Sequence, residues 1–310
     1  MKPLSECRLY AFVDTTCLRG RAPQVVAQQL CDGGADLVQL RAKQSSLEEI
    51  RRMARGAFGL DLKPGKEQLV AARLGRMMRG GRFRSYRDLC RHVLEDRTGD
   101  SLAALIDALA TNHTAFLREP EHFAFLRESV LPALRHRRPL EMWCAACSTG
   151  EEVWTLAATL SDALPGNSFR ITATDISRKA LAVAARAQYP AARCAPLPGA
   201  WLARYFSETA AGEFAIRPAM RAQVAFSRLN LMEPLAWRQR FPVIFCRNVM
   251  IYFDAPVQEG LTARLAEALE PGGYLFVGHA ESLSRFSHSL EYVRPAVYRK
   301  AAKREGAWSK

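Results

Sequence analysis

The sequence lacks any apolar run that approaches the roughly 20 residues a membrane-spanning helix requires. Its start, MKPLSECRLYAF, has too short and broken an apolar stretch for a signal peptide. The eight cysteines are scattered over 310 residues without a compact framework, which is typical of reduced thiols. With 49% hydrophobic residues, the chain can bury a full core. We therefore expect a cytoplasmic globular protein of two or three structural units.

Motifs of the zinc-binding type are also missing. Cys144 and Cys147 form the only CxxC, and neither a second CxxC nor a nearby histidine completes a tetrahedral set of ligands. The sequence therefore predicts no metal centre.

Acidic residues are scarce relative to basic ones: 31 against 44, for a formal net charge of +13. Such a charge attracts a nucleic acid, a membrane surface or an acidic protein. A helix predicted over KEQLVAARLGRMM, ending at Gly80-Gly81, carries arginines at every third position, and we expect them to share one flank. That flank is either a solvated face or a contact for an acidic partner. Its members are Arg73, Arg76 and Arg79. The positions expected to face inward are Leu69, Leu74 and Met77.

The chain divides into regions by pattern. Residues 1–45 predict a strand, a helix and a strand, and residues 46–110 predict four helices separated by Gly, Pro or polar breaks. From about Met142, strands and helices alternate, which indicates an α/β fold with a parallel sheet covered on both faces. We assign this pattern to a domain at 111–300, followed by a basic tail at 301–310.

Polar residues follow three strands of the predicted sheet, at the edge where parallel α/β sheets bind ligands. EMWCAA opens into CSTGEE, where Ser148 or Thr149 is expected to cap the next helix and Gly150 permits close backbone approach. FRITATD ends in Asp175, an acid placed to accept both hydroxyls of a ribose. PVIFC is followed by Arg247, Asn248 and Tyr252.

The loop after the first of these strands lacks the GxGxxG pattern, since it carries one glycine where a dinucleotide fold uses three. A pyrophosphate cradle is therefore disfavoured. A nucleoside ligand without a diphosphate suits the loop better, and S-adenosylmethionine is such a ligand.

Six ordered motifs resemble the chemotaxis receptor glutamate methyltransferases, the CheR family, over roughly residues 46–300. The resemblance implies a Rossmann-like class I S-adenosylmethionine-dependent methyltransferase domain, preceded by a helical domain and carrying a small inserted antiparallel subdomain at about 196–227. The motifs are TNHTAFLRE at 111–119, WCAACSTGEE at 143–152, ATDIS at 173–177, NLME at 230–233, IFCRNVMIYF at 244–253 and LEPGGYLFVGHAES at 269–282.

The resemblance also implies roles for individual residues. Arg118 would steer the substrate carboxylate and Tyr252 would lie beside the transferred methyl group, as the two catalytic residues. Without the resemblance, Arg118 could equally pair with Glu121, and Tyr252 could be a core aromatic. The implied cofactor contacts are Asn112, Thr114, Arg118, Ala146, Glu152, Asp175, Asn230, Leu231, Arg247 and Asn248.

The implied activity is methyl transfer from S-adenosylmethionine to glutamate side chains of chemotaxis receptors, giving methyl esters and S-adenosylhomocysteine. Receptor helices that present rows of glutamate would meet the flank formed by Arg73, Arg76 and Arg79. We expect a monomer that binds no nucleic acid and reaches the membrane only through the receptor. The short loop SETAAGEF resembles family members that use no receptor tether.

Two other classes of function remain open. A nucleic-acid methyltransferase would also explain the basic charge, although no NPPY-like segment for a flipped base is present. A non-catalytic signalling scaffold, or a methyltransferase of another acidic protein, would keep the same fold.

Residues 1–45 resemble a different family. LYAFVDTTCL and GGADLVQLRAK are similar to the opening of thiamine phosphate synthase, a TIM barrel in which a QxRxK segment meets the pyrimidine diphosphate. That segment would be Gln39, Arg41 and Lys43. One strand-helix-strand unit cannot close an eight-stranded barrel, so we expect a fusion remnant or a docked extension.

Overall fold

The computed structural model divides the chain into two compact units, Met1–Gly56 with Leu62–Leu102, and Ala57–Asp61 with Ala103–Lys310. The predicted helix end at Gly80-Gly81, most of the predicted basic tail, and the side chains of Gln39, Arg41 and Lys43 lie outside the described residues. The structure describes residues 9–14, 21–41, 43–62, 67–79, 83–110, 112–134, 136–137, 139–164, 166, 169–237 and 239–302.

The first unit opens with a small βαβ element. Strands β1 (Tyr10–Asp14) and β2 (Leu37–Arg41) pair in parallel, and helix α1 (Pro23–Asp32) connects them. Proline at the first helical position suits α1, since its missing N–H would have no helical partner there. This element agrees with the pattern predicted for residues 1–45.

Four helices follow, as the periodicity of residues 46–110 predicts. The first of them begins at Lys43, so a single helix crosses the boundary placed at residue 45. The helices are α2 (Lys43–Phe58), α3 (Glu67–Arg79), α4 (Tyr86–Glu95) and α5 (Asp100–Leu109).

Burial on α3 differs in one position from the prediction. Leu74 is buried as expected, but Leu69 is 46% exposed and Val70 is buried instead, because Val70 and Leu74 are one helical turn apart on the same face. Arg76 and Arg79 are exposed and Arg73 is partly exposed.

The second unit is built on a seven-stranded sheet and a three-stranded sheet. Its helices are α6 (Pro120–Phe125), α7 (Leu131–Leu134), α8 (Glu151–Ala163), α9 (Arg178–Arg186), α10 (Ala191–Cys194), α11 (Gly199–Tyr205), α12 (Pro218–Arg221) and α13 (Ala255–Ala268), with a π turn at Leu126–Val130 and 3₁₀ turns at Met250–Tyr252 and Leu283–Arg285. Its strands are β3 (Leu140–Ala145), β4 (Phe169–Asp175), β5 (Gln188–Pro190), β6 (Phe206–Glu208), β7 (Glu213–Ile216), β8 (Val224–Arg228), β9 (Phe241–Cys246), β10 (Leu269–Phe276), β11 (Leu290–Arg294) and β12 (Val297–Lys300).

The large sheet has the order β11-β12-β10-β9-β3-β4-β8, in which β12 runs antiparallel to its neighbours β10 and β11 and the other six strands share one direction. Strand β3 lies between β9 and β4, so the strand order reverses at β3 and a ligand crevice is expected beside its carboxyl end. The predicted α/β class with a mostly parallel sheet is confirmed.

Both faces of β9 are buried along its whole length, which explains its unbroken apolar sequence FPVIFC. In β3, Met142 and Cys144 belong to one hydrophobic cluster, and Trp143 and Ala145 belong to the other. The second cluster includes Leu261 of α13. The sheet is therefore a central layer with apolar packing on either side, and its polar chemistry is confined to the strand ends.

The three-stranded antiparallel sheet has the order β5-β7-β6 and is inserted between β4 and β8. It begins at Gln188, earlier than the predicted bound of about 196. The segment Val224–Arg228, of which the prediction included residues 224–227 in the insertion, pairs in parallel with β4 in the large sheet. The short apolar run VAF is compatible with either sheet, and its pairing with β4 places it in the large sheet.

Candidate functional site

The loop after β3 takes an unusual backbone path. Ala146, Ser148 and Gly150 have positive φ angles of 56°, 50° and 95°. A Cβ atom at Gly150 would lie 2.8 Å from both the Ala184 Cβ and the Tyr189 hydroxyl, so only glycine fits. Gly150 itself is the N-cap of α8, and the predicted capping by Ser148 or Thr149 is wrong. The loop therefore presents its backbone at the strand ends.

Asp175 stands at the carboxyl end of β4 and holds this loop. Its carboxylate accepts hydrogen bonds at 2.8 Å from the backbone N–H groups of Ser148 and Ser177. Burial raises the pKa of Asp175 despite these bonds. The residue thus serves as a fixed acceptor beside the crevice.

Arg247 follows β9, and its side chain is fully buried. The guanidinium lies 2.6 Å from the Glu152 carboxylate and 2.9 Å from that of Glu119, and it donates to the Arg118 carbonyl at 2.7 Å. Two acids therefore neutralise the buried cation and tie the Arg118 segment to the end of β9.

Glu281 organises the neighbouring loop. Its carboxylate accepts from the N–H groups of Asn248 at 2.7 Å, Gly278 at 2.6 Å and Ile251 at 3.2 Å. Asn248 has a φ of 59°, a conformation that such bonds must hold. Burial raises the pKa of Glu281. Glu119 and Glu281 were not predicted as site residues, although both lie inside the quoted motifs.

A cavity opens at these strand ends and belongs entirely to the second unit. All the residues predicted as cofactor contacts or catalytic residues line it. They are Asn112, Thr114, Arg118, Ala146, Glu152, Asp175, Asn230, Leu231, Arg247, Asn248 and Tyr252. The cavity also has an apolar lining that was not predicted, including Phe58, Leu60, Ile106, Leu229 and Phe253.

Hydrogen bonds fix two of the predicted residues on the cavity wall. Asn230 donates to the Ala57 carbonyl at 2.8 Å, and Tyr252 accepts through its carbonyl from the N–H of Asp61 at 2.7 Å. Arg118 donates to the His113 carbonyl at 3.0 Å, whereas Glu121 pairs with His279.

The predicted substrate residues Arg73, Arg76 and Arg79 belong to the other unit and are not part of the lining.

Glu119, His122 and His279 bring potential metal-ligand atoms within 4.8 Å of one another. The Glu119 carboxylate already accepts from Arg247 and Asn248, and the buried guanidinium would repel an added cation. Burial lowers the pKa of His122 to about 3, so its ring is neutral. The arrangement favours an ion-pair network over a metal centre.

Comparison with known proteins agrees with this geometry. Residues 112–298 match the model described as "CheR methyltransferase, SAM binding domain", where SAM is S-adenosylmethionine, and residues 45–110 match "CheR methyltransferase, all-alpha domain". Among the described residues, no helix is long and apolar enough to cross a membrane.

Curated relatives extend the match to most of the chain. A "Chemotaxis protein methyltransferase" of Borreliella burgdorferi is 34% identical over 83% of this chain and 94% of its own. "Chemotaxis protein methyltransferase 2" of Pseudomonas aeruginosa is 36% identical over 82% of this chain and 92% of its own. The chain therefore belongs to the CheR family of S-adenosylmethionine-dependent methyltransferases.

Proposed function

We propose that this protein transfers methyl groups from S-adenosylmethionine to glutamate side-chain carboxylates of chemotaxis receptors, giving methyl esters. The observation that carries the proposal is the strand-end cavity, whose lining combines acids, amides, two guanidinium groups and a phenol at positions that match the family motifs. The names of the relatives support a substrate in chemotaxis.

The residues present fit the cofactor. Asp175 would accept the ribose hydroxyls, because its buried carboxylate is already aimed by two backbone N–H groups. Asn230 and Leu231 would contact the adenine side of the ligand. Asn112, Thr114 and Arg118 would close over its methionine end. The remaining contacts in this proposal are Ala146, Glu152, Arg247 and Asn248.

The bound cofactor supplies an electrophilic methyl group on a sulfonium sulfur. A substrate glutamate has an ordinary pKa near 4.3, so at neutral pH it is already a carboxylate nucleophile and needs no general base. The protein's task is then to orient that carboxylate and to exclude water. The apolar lining of the cavity, which includes Leu60 and Phe253, suits the second task.

Arg118 and Tyr252 are the residues we assign to orientation. Arg118 lies between Leu117 and Glu119, whose positive φ angles of 54° and 55° mark a backbone held by its surroundings. A guanidinium carries five N–H donors, and the bond to the His113 carbonyl uses one of them. Arg118 would steer the substrate carboxylate, and the Tyr252 hydroxyl would set its direction.

A direct assay tests the proposed function. The protein is incubated with labelled S-adenosylmethionine and either a glutamate-rich receptor cytoplasmic fragment or nucleic acid. We expect label in the receptor fragment that mild base releases as methanol, because methyl esters hydrolyse readily. Base-stable label, or label in the nucleic acid, would contradict glutamate methylation.

Tyr252→Phe is expected to lower turnover about tenfold or more while changing S-adenosylhomocysteine affinity less than about twofold, because the hydroxyl acts mainly in the transition state. Steady-state kinetics and calorimetry measure the two quantities. Tyr292→Phe, at an exposed site on β11, is the control and should change neither. An equal loss of turnover and affinity would refute the role of Tyr252.

The arginine flank of α3 gives a second prediction. If Arg76 and Arg79 attract a glutamate-rich receptor helix, reversing both to glutamate should raise the KM for receptor and flatten its dependence on salt, since exposed charges are screened over roughly 8–10 Å. Methylation rates are measured against ionic strength. Arg186→Glu with Arg240→Glu changes the net charge equally at other exposed sites. If this control shows the same change, net charge rather than the flank steers the receptor.

A further inference from the structure

The inserted subdomain contacts the loop after β3. Tyr189 of β5 donates its hydroxyl to the Thr149 carbonyl at 2.7 Å, and Arg193 of α10 donates to the Thr149 side-chain oxygen at 3.2 Å. Tyr189 is buried, and the Arg193 guanidinium lies 5.8 Å from the centre of its ring. Two side chains of the inserted subdomain thus form hydrogen bonds with Thr149 of the loop.

Glu151 adds an ion pair to the contact between the loop and the inserted subdomain. Its side chain is fully buried at the start of α8, where it accepts from the Thr149 hydroxyl at 2.7 Å and forms an ion pair with Arg193. Burial raises the pKa of Glu151. Arg193 is therefore the neighbouring cation that compensates a carboxylate with no access to water.

The loop needs such support because its backbone is strained. Its positive φ angles at Ala146 and Ser148 are unfavourable for residues with a Cβ and persist only where the surroundings impose them. The loop is also held to β4 by hydrogen bonds from Cys147 N to the Thr174 carbonyl and from Ser148 N to Asp175. It lies between β4 and the inserted subdomain, and Ala146, Cys147 and Ser148 line the cavity.

We propose that Arg193 and Tyr189 are positioning residues for the cofactor, through which the inserted subdomain holds the loop after β3 in its binding conformation. Neither residue belongs to the cavity lining, so each acts through Thr149 and Glu151. The inference rests on the proposed assignment of the cavity as the cofactor site. Cofactor affinity then depends on a subdomain that contributes no residue to the described cavity lining.

The test is calorimetry of S-adenosylhomocysteine binding to Arg193→Ala at several pH values. At about pH 8 we expect roughly tenfold weaker binding than in the wild type, because ionised Glu151 must distort the loop to reach water. Near pH 6 the deficit should shrink, because a buried unpaired carboxyl titrates well above its ordinary range and its protonation removes the charge. Arg193→Lys should restore affinity.

Two further variants separate positioning from a general structural effect. Adding Glu151→Gln to Arg193→Ala should remove the pH dependence of the deficit, since no carboxyl is left to titrate. Arg204→Ala is the matched control, because Arg204 also joins the subdomain to α8, through Asp162, but at the far end of the helix. It should leave affinity unchanged at every pH.

Tyr189→Phe should weaken S-adenosylhomocysteine binding a few-fold without pH dependence, since it removes one hydrogen bond to the Thr149 carbonyl. The inference would be overturned if Arg193→Ala bound S-adenosylhomocysteine as tightly as the wild type. It would also be overturned if Arg193→Ala and Arg204→Ala showed the same loss of affinity at every pH. Neither result would contradict receptor methylation. A wild type that binds S-adenosylhomocysteine yet fails to methylate receptor would overturn the proposed function and leave this inference standing.

Discussion

Asp175→Ala is expected to weaken S-adenosylhomocysteine binding at least about 100-fold, because the ribose loses a charged acceptor and the Ser148 and Ser177 N–H groups lose theirs. Calorimetry measures the loss, and circular dichroism checks the fold. Asp162→Ala removes an acceptor from Trp201 and Arg204, outside the cavity lining, and should leave affinity unchanged. Near-normal affinity in Asp175→Ala would exclude Asp175 from the ribose site.

The same carboxylate predicts a pH dependence. Burial raises the pKa of Asp175, so the ionised acceptor is lost at a higher pH than for an ordinary aspartate. Wild-type affinity should therefore fall as pH is lowered through that raised pKa. Asp175→Asn, which keeps the shape of the side chain, should bind weakly and without this decline. If the affinities of the wild type and of Asp175→Asn fell in the same way as pH is lowered, a group other than Asp175 would be responsible for the decline.

Arg247→Ala is expected to destabilise the second unit by about 3 kcal/mol, because it leaves the Glu119 and Glu152 carboxylates without their shared buried cation. It should also abolish cofactor binding, since Arg247 lines the cavity and holds the Arg118 carbonyl. Urea unfolding and calorimetry measure the two effects.

Arg127→Ala provides the comparison for Arg247→Ala. Arg127 pairs with Glu128 on the surface of the same unit, where an ion pair contributes at most about 1 kcal/mol. Arg247→Met keeps apolar volume at the site and distinguishes loss of charge from loss of packing. If Arg247→Met is as stable as the wild type, the two carboxylates do not depend on the guanidinium.

Local sequence was sufficient where periodicity and turn chemistry decide the structure. The alternation of strands and helices from Met142 onward is present, since buried parallel strands need continuous apolar runs and their covering helices need amphipathic ones. The helices of residues 46–110 appear in the expected order. The eleven cofactor-contact and catalytic residues predicted from the family motifs line the cavity.

Local sequence failed where a choice between equivalent patterns depends on a distant partner. The run VAF at Val224 was assigned to the inserted sheet, but it pairs with β4. Leu69 and Val70 are both apolar neighbours on α3, and packing selects Val70 for burial. In each case the local pattern permits two arrangements, and packing against residues distant in the sequence decides between them.

The sequence by itself determined the fold class, the family, the cofactor and eleven of the positions that line the cavity, because these follow from local patterns and motifs. Only the tertiary structure decided how the polar groups pair. Glu119 meets Arg247 across 128 positions, Glu281 meets Asn248 across 33, and Tyr189 meets Thr149 across 40. A buried polar group must find a partner, but which partner it finds depends on the loops that the folded sheet brings together.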